Sequence, residues 1–385
     1  MAMRVSKFRC VCAALFFGML SGCEPLLAAT LNDVMASIGR EMVQLYPIIV
    51  ANRPLTPEDK KAVVRHVDRL AELFTNAQTF IAQRSETYQV SYALVSDHLA
   101  DVQRVIGSGD VERARFDLYK LGPICTSCHT QDTRLRTLFS GTGRSSFPDD
   151  RSFAEFNYLT RNYAEAEQYF DRYLKSDVER SEFDLMQPLQ RIVTIYAQVF
   201  NRPLEGAQKL RRYLHAKGHS EYTLKYLRGW IDGLEKLAQD GAQAMIRPDL
   251  KAIEAAIEKY IGSLDQTQPV TIEPLQQVQR VWLRGRLYHY LNTAPAREAV
   301  PRVLYWLAVS DRAIGYDYYF SLADLYLKDC VFSYPSHPYA QRCFKAYRDY
   351  VTDLYAGPGG SYLPAEVSAD LMRMETALKE GRSKR

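Results

Sequence analysis

The sequence lacks an apolar run long enough to cross a bilayer, which takes about 20 residues; the run at residues 11–20 is too short. It also lacks a charge excess. The formal net charge is +4, but Arg4, Lys7 and Arg9 lie in a leader without acidic residues, and setting those three aside leaves +1. That balance gives no footing to a nucleic-acid partner. Beyond residue 146 there is no acid/base pair, nucleophile triad, glycine-rich phosphate loop or basic patch, so no motif there assigns catalysis. What is present is length and apolar content: 385 residues, 47% apolar, enough for two or three domains with real cores.

The basic leader and its short apolar run read as a secretory signal. It ends in Leu20-Ser21-Gly22-Cys23, which resembles the lipobox of bacterial lipoproteins, in which the cysteine is lipidated and becomes the first residue. The competing reading is cleavage after Ala28-Ala29 and a soluble periplasmic product. Glu24 after the cysteine resembles lipoproteins sent to the outer membrane, so the resemblance implies a periplasmic protein held to that membrane by an N-terminal lipid.

Cys125-Thr126-Ser127-Cys128-His129 is the motif the chain is organised around. Two thiols three residues apart on a helical turn can both add to the vinyl groups of one haem, and the adjacent imidazole then meets the iron. A redox dithiol wants a βαβ context, whereas the surrounding pattern is helical. A zinc site wants a second Cys pair, and Cys330 and Cys343 are too far apart for a compact one. Haem attachment needs an exported chain, which the leader supplies. One covalent haem c is therefore expected, with thioethers at Cys125 and Cys128 and His129 as proximal ligand. The cysteines then account for themselves. Cys10 and Cys12 leave with the signal, Cys23 takes lipid, two take haem, and Cys330 and Cys343 remain as a pair in an oxidising compartment.

Ahead of the motif run four amphipathic stripes. The first is Leu31, Met35, Ile38, Met42 and Leu45. The second, opened by Thr56 as N-cap and Pro57 at the first helical position, is Val63, Val67, Leu70, Phe74, Ala77 and Ile81. The third is Tyr88, Tyr92, Val95, Leu99, Val102 and Ile106, and it stops at Gly107-Ser108-Gly109. The fourth starts at Asp110 and carries Val111, Ala114, Leu118 and Leu121, with Cys125 and Cys128 continuing its spacing. Short connections between seam-like stripes predict an up-and-down four-helix bundle. Pro123 predicts a kink or restart just before the motif. His66 and His98 fall between core positions and read as surface residues.

A haem motif near the end of a four-helix bundle, with Val34-Met35, Ile38-Gly39 and Met42 on the first helix, resembles the class II cytochromes c, the group of cytochrome c-prime and the low-spin cytochrome c-556 proteins. The likeness covers about residues 30–140. It implies that Met35 is the candidate sixth ligand of the iron, with Met42 in reserve; spacing alone favours a core methionine at Met35 instead. Gly122-Pro123 departs from the family pattern and leaves the orientation of His129 open.

Residues 141–152 read as a linker between the domain at 23–140, which follows the signal at 1–22, and a helical region at 153–385. There Phe153, Phe156, Tyr158 and Leu159, then Ala166, then Tyr169-Phe170 and Tyr173-Leu174 resemble a tetratricopeptide hairpin. A weaker copy spans Ile192 to Leu214 around the turn Asn201-Arg202-Pro203. Cys330 and Cys343 flank a turn centred on residues 334–338 symmetrically, so antiparallel helices would bring them face to face as a disulfide, or as two buried thiols. The expected architecture is all-α, a haem bundle followed by tetratricopeptide-like repeats. The expected function is electron transfer rather than catalysis, with the repeats docking a redox partner at the membrane; the alternative is a gas-binding protein whose iron keeps an open sixth site.

Overall fold

The computed structural model describes residues 30–51, 53–84, 86–122, 124–125, 143–176, 181–214, 219–245, 249–262, 272–293, 295–314, 321–357 and 360–383. The leader, Cys23, Cys128 and His129 lie outside the described residues. The fold is all-α, apart from a hairpin of two-residue strands, β1 Ala356–Gly357 and β2 Gly360–Ser361.

Helix α1 (Leu31–Ile49) begins at a capping box: the Thr30 hydroxyl accepts from the Asp33 N–H, and the Asp33 carboxylate accepts from the Thr30 N–H. Thr56 and Asp59 repeat the device for α2 (Pro57–Ile81), with Pro57 at its first position, so the orphan donors of both first turns are met locally. Helix α3 (Glu86–Gly107) ends just before Gly109, whose φ of +88° suits glycine. Asp110 caps α4 (Val111–Tyr119). The expected interruption is present, one turn ahead of Pro123: α4 stops at Tyr119, and residues 121–122 and 124–125 are helical again. Tyr119 is four residues before position 123 in sequence, the spacing at which a proline is expected to interrupt a helix; Pro123 itself lies outside the described residues.

The four helices share one core, in which Val63, Val67, Leu99, Val102, Ala114 and Leu118 are at most 1% exposed. The surface reading of the two histidines is corrected. His66 is buried, with Nδ1 2.7 Å from Glu41 Oε2 on α1 and the Arg65 guanidinium 3.2 Å from Nε2. His98 is half-buried, with Nε2 2.9 Å from the Asp117 carbonyl on α4. A partner on a neighbouring helix meets each ring, Glu41 for His66 and the Asp117 carbonyl for His98, which offsets the cost of taking that nitrogen out of water.

The second region is a stack of helices α5 (Asp150–Leu159), α6 (Tyr163–Lys175), α7 (Glu182–Thr194), α8 (Pro203–Arg211), α9 (Glu221–Gln239), α10 (Leu250–Tyr260), α11 (Pro274–Leu291), α12 (Val300–Ile314), α13 (Ala323–Ser333), α14 (Pro338–Leu354) and α15 (Ala365–Ser383). Successive helices pack on one another: α5 on α6, α8 on α9, α11 on α12, α12 on α13 and α13 on α14. A π-turn at Ile195–Val199 prolongs α7. Asn201 then turns the chain at φ +52°, and its side chain accepts from Trp282 Nε1 at 2.9 Å. The sulfurs of Cys330 and Cys343 are 2.13 Å apart in the core between α13 and α14.

The two regions meet. Within the stretch read as a linker, α5 already begins at Asp150 and Phe147 is buried. Phe147 joins Tyr46 of α1 with Phe153, Phe156 and Leu159 of α5 in a small shared core. Helix α13 also packs on α3, whose Val90 belongs to the core of the second region.

Candidate functional site

The α1 stripe does two jobs. Val34, Ile38 and Leu45 are buried in the bundle, while Met35 and Met42, a turn apart from them, are only half-buried because they face a cavity. The space in it open to a water-sized molecule is about 80 Å³, within an envelope of about 830 Å³ that runs out into solvent. Helix α1 lends Met35, Ile38, Gly39 and Met42 to it, α2 lends Phe74, Ala77 and Ile81, and α3 lends Tyr88, Ser91, Tyr92 and Val95. Cys125 completes the bundle side, and Phe156, Leu159 and Thr160 come from the end of α5.

The lining is apolar, and two of its hydroxyls are spent on backbone. Tyr92 donates to the Phe74 carbonyl at 2.9 Å and Thr160 to the Phe156 carbonyl at 2.9 Å. Charge lies in the junction beyond the wall. Glu155 of α5 holds Arg191 of α7 at 3.2 Å with both side chains buried, and that guanidinium stands 4.9 Å from the Tyr158 ring. Burial, reinforced by the Glu155 charge, pushes the Tyr46 phenol well above its usual range, so it stays protonated.

Three residues singled out in the sequence, Cys125, Met35 and the reserve Met42, thus line one cavity. Cys330 and Cys343 are remote from it, in the core of the second region. Phe156 and Leu159 read in the sequence as hairpin packing and Thr160 carries no signal there, so none of the three is marked as facing the bundle. The chemistry of the residues present fits a haem: the lining is apolar, Cys125 stands in it, and two soft thioethers face it. No cluster of three or more His, Cys, Asp or Glu suited to a metal ion occurs among the described residues. No helix among them is long and apolar enough to cross a membrane.

No protein-family model, curated protein or solved structure matches this chain.

Proposed function

We propose that this chain is an exported c-type cytochrome carrying one haem, bound through Cys125 and Cys128, with His129 as proximal and Met35 as distal iron ligand, and that it transfers electrons. The observation that carries the reading is the apolar cavity between α1, α2 and α3 with Cys125 and both methionines on its wall. When bound, the haem would supply a one-electron couple; the chain's part is to hold it, fill its axial sites and keep water away. A thioether is a soft, neutral donor that favours ferrous iron, which suits a carrier. A peroxidase would want an acid/base group beside the iron, and no carboxylate, imidazole, amine or guanidinium is among the described lining residues. The tetratricopeptide-like region would dock a redox partner protein, with the lipid on Cys23 keeping both at a membrane.

The test is a haem-peroxidase stain after denaturing electrophoresis. The native chain should stain and Cys125→Ser with Cys128→Ser should not; haem that extracts into acid acetone sinks the assignment. On the same material, Met35→Ala should abolish the sulfur-to-iron charge-transfer band of the oxidised protein and open the iron to carbon monoxide. A native protein that is high-spin and takes up carbon monoxide at once selects the gas-binding alternative instead.

A further inference from the structure

We propose that the helical-repeat region supplies the outer wall of the cofactor cavity, and that Phe156 and Leu159 of α5 set how readily water and small ligands reach it; this rests on the haem assignment above. By sequence α5 opens the second region, yet Phe156, Leu159 and Thr160 share the lining with Met35, Met42 and Cys125. These three side chains are 2%, 5% and 7% exposed, so they close the cavity rather than edge its mouth.

Their position is fixed from both sides. On the bundle side, the Phe156 ring lies 6.3 Å from that of Tyr46, one turn beyond Met42 on α1, and 5.1 Å from that of Phe147. A Cβ built on Gly122 would stand 3.8 Å from Leu159 Cδ1, so the stretch leading into Cys125 runs directly over α5. On the other side, the buried Glu155–Arg191 pair anchors α5 to α7. The junction core unites Met42 and Cys125 with Phe156 and Leu159. A wall held this way excludes water and keeps the local dielectric low, a lever on both iron potential and ligand access.

The experiment uses full-length holoprotein carrying Met35→Ala and Met42→Ala, so that no thioether competes for the iron, and follows carbon monoxide uptake by the reduced protein. Adding Phe156→Ala should speed uptake about tenfold, equivalent to about 1.4 kcal/mol of barrier. Leu354→Ala, at the exposed end of α14, should leave the rate unchanged. Leu159→Ala and the conservative Phe156→Leu are smaller cuts that keep the test open where Phe156→Ala does not fold, as read by circular dichroism. Unchanged uptake in the folded wall variants, with the covalent haem stain intact, overturns the wall and leaves the haem assignment standing. Absence of covalent haem from the unaltered chain overturns the assignment and the wall with it.

Discussion

The two regions are both helical but are packed by different rules. The bundle core is aliphatic: it is built of valine, leucine, isoleucine and alanine, with Phe74 and Tyr92 half-buried at its edge by the cavity. Among the described residues, the ten largest fully buried side chains, including Trp230, Trp282, Arg284 and Tyr326, all belong to the second region. Its glycines sit under neighbours so closely that a Cβ on Gly285 would be 2.8 Å from Gln198 Cγ, and one on Gly233 2.8 Å from the Leu275 carbonyl. Large rings set against missing side chains fill space without gaps. The bundle leaves an apolar space beside Met35, Met42 and Cys125, and the second region lends the end of α5 to its lining.

The contrast breaks most sharply at Arg284. This guanidinium is fully buried, its Nε 2.6 Å from Asp311 Oδ1 and its Cζ 4.6 Å from the Tyr288 ring. Asp311 also accepts from the Leu322 N–H at 3.1 Å, tying the start of α13 to α12. Removing one partner of such a pair strands the other charge in a low dielectric, so Asp311→Asn should cost about 3–5 kcal/mol in denaturant unfolding. Glu41→Gln, its counterpart at His66 in the bundle, keeps a hydrogen-bonding oxygen on a side chain that is 24% exposed and should cost far less. A loss at Asp311 no larger than that at Glu41 would mean that the two interiors do not differ as described.

Next in size is the disulfide. Cys330 and Cys343 are 13 residues apart, and a loop of that length closes with about 3 kcal/mol of stabilisation in the chain-entropy picture. Replacing both by serine should lower the unfolding free energy by that order. Equal stability of the oxidised and reduced native protein would show that the bond adds nothing to a core already closed by packing.

How much of this was readable depended on whether the cause lay within one helix or between two. Stripes, caps and stops are local, so the Thr56-Pro57 start, the Asp110 cap and the Asn201 turn follow from residue chemistry alone. The two cysteines flank a short turn, and their meeting follows from antiparallel geometry. Periodicity names an apolar face but not what covers it. Tyr46 lies off the α1 stripe and is buried by Phe147 and Phe156. His66 looked solvated because its partner Glu41 is on another helix. The α5 wall was hidden for the same reason, since Phe156 and Leu159 read as packing on the repeats.

The smallest effect sharpens the comparison at the bundle's edge, where helices are started by caps rather than by packing. Thr56 Oγ1 accepts from the Asp59 N–H at 3.1 Å and Asp59 accepts from the Thr56 N–H at 2.9 Å. Losing such a cap costs about 1 kcal/mol, so Thr56→Ala should lower stability by that order at neutral pH. The Asp59 carboxyl is held well below the usual carboxylate range, first by the Arg53 guanidinium at 2.5 Å and then by the Thr56 N–H. A depressed carboxyl contributes stability above its unfolded value, about 4, and loses it as the pH falls through its folded one. The stability gap between the native chain and Asp59→Asn should therefore be full at about pH 6 and shrink steadily below pH 4. A gap that stays constant down to about pH 2 would assign the effect to side-chain geometry rather than to the charge on Asp59.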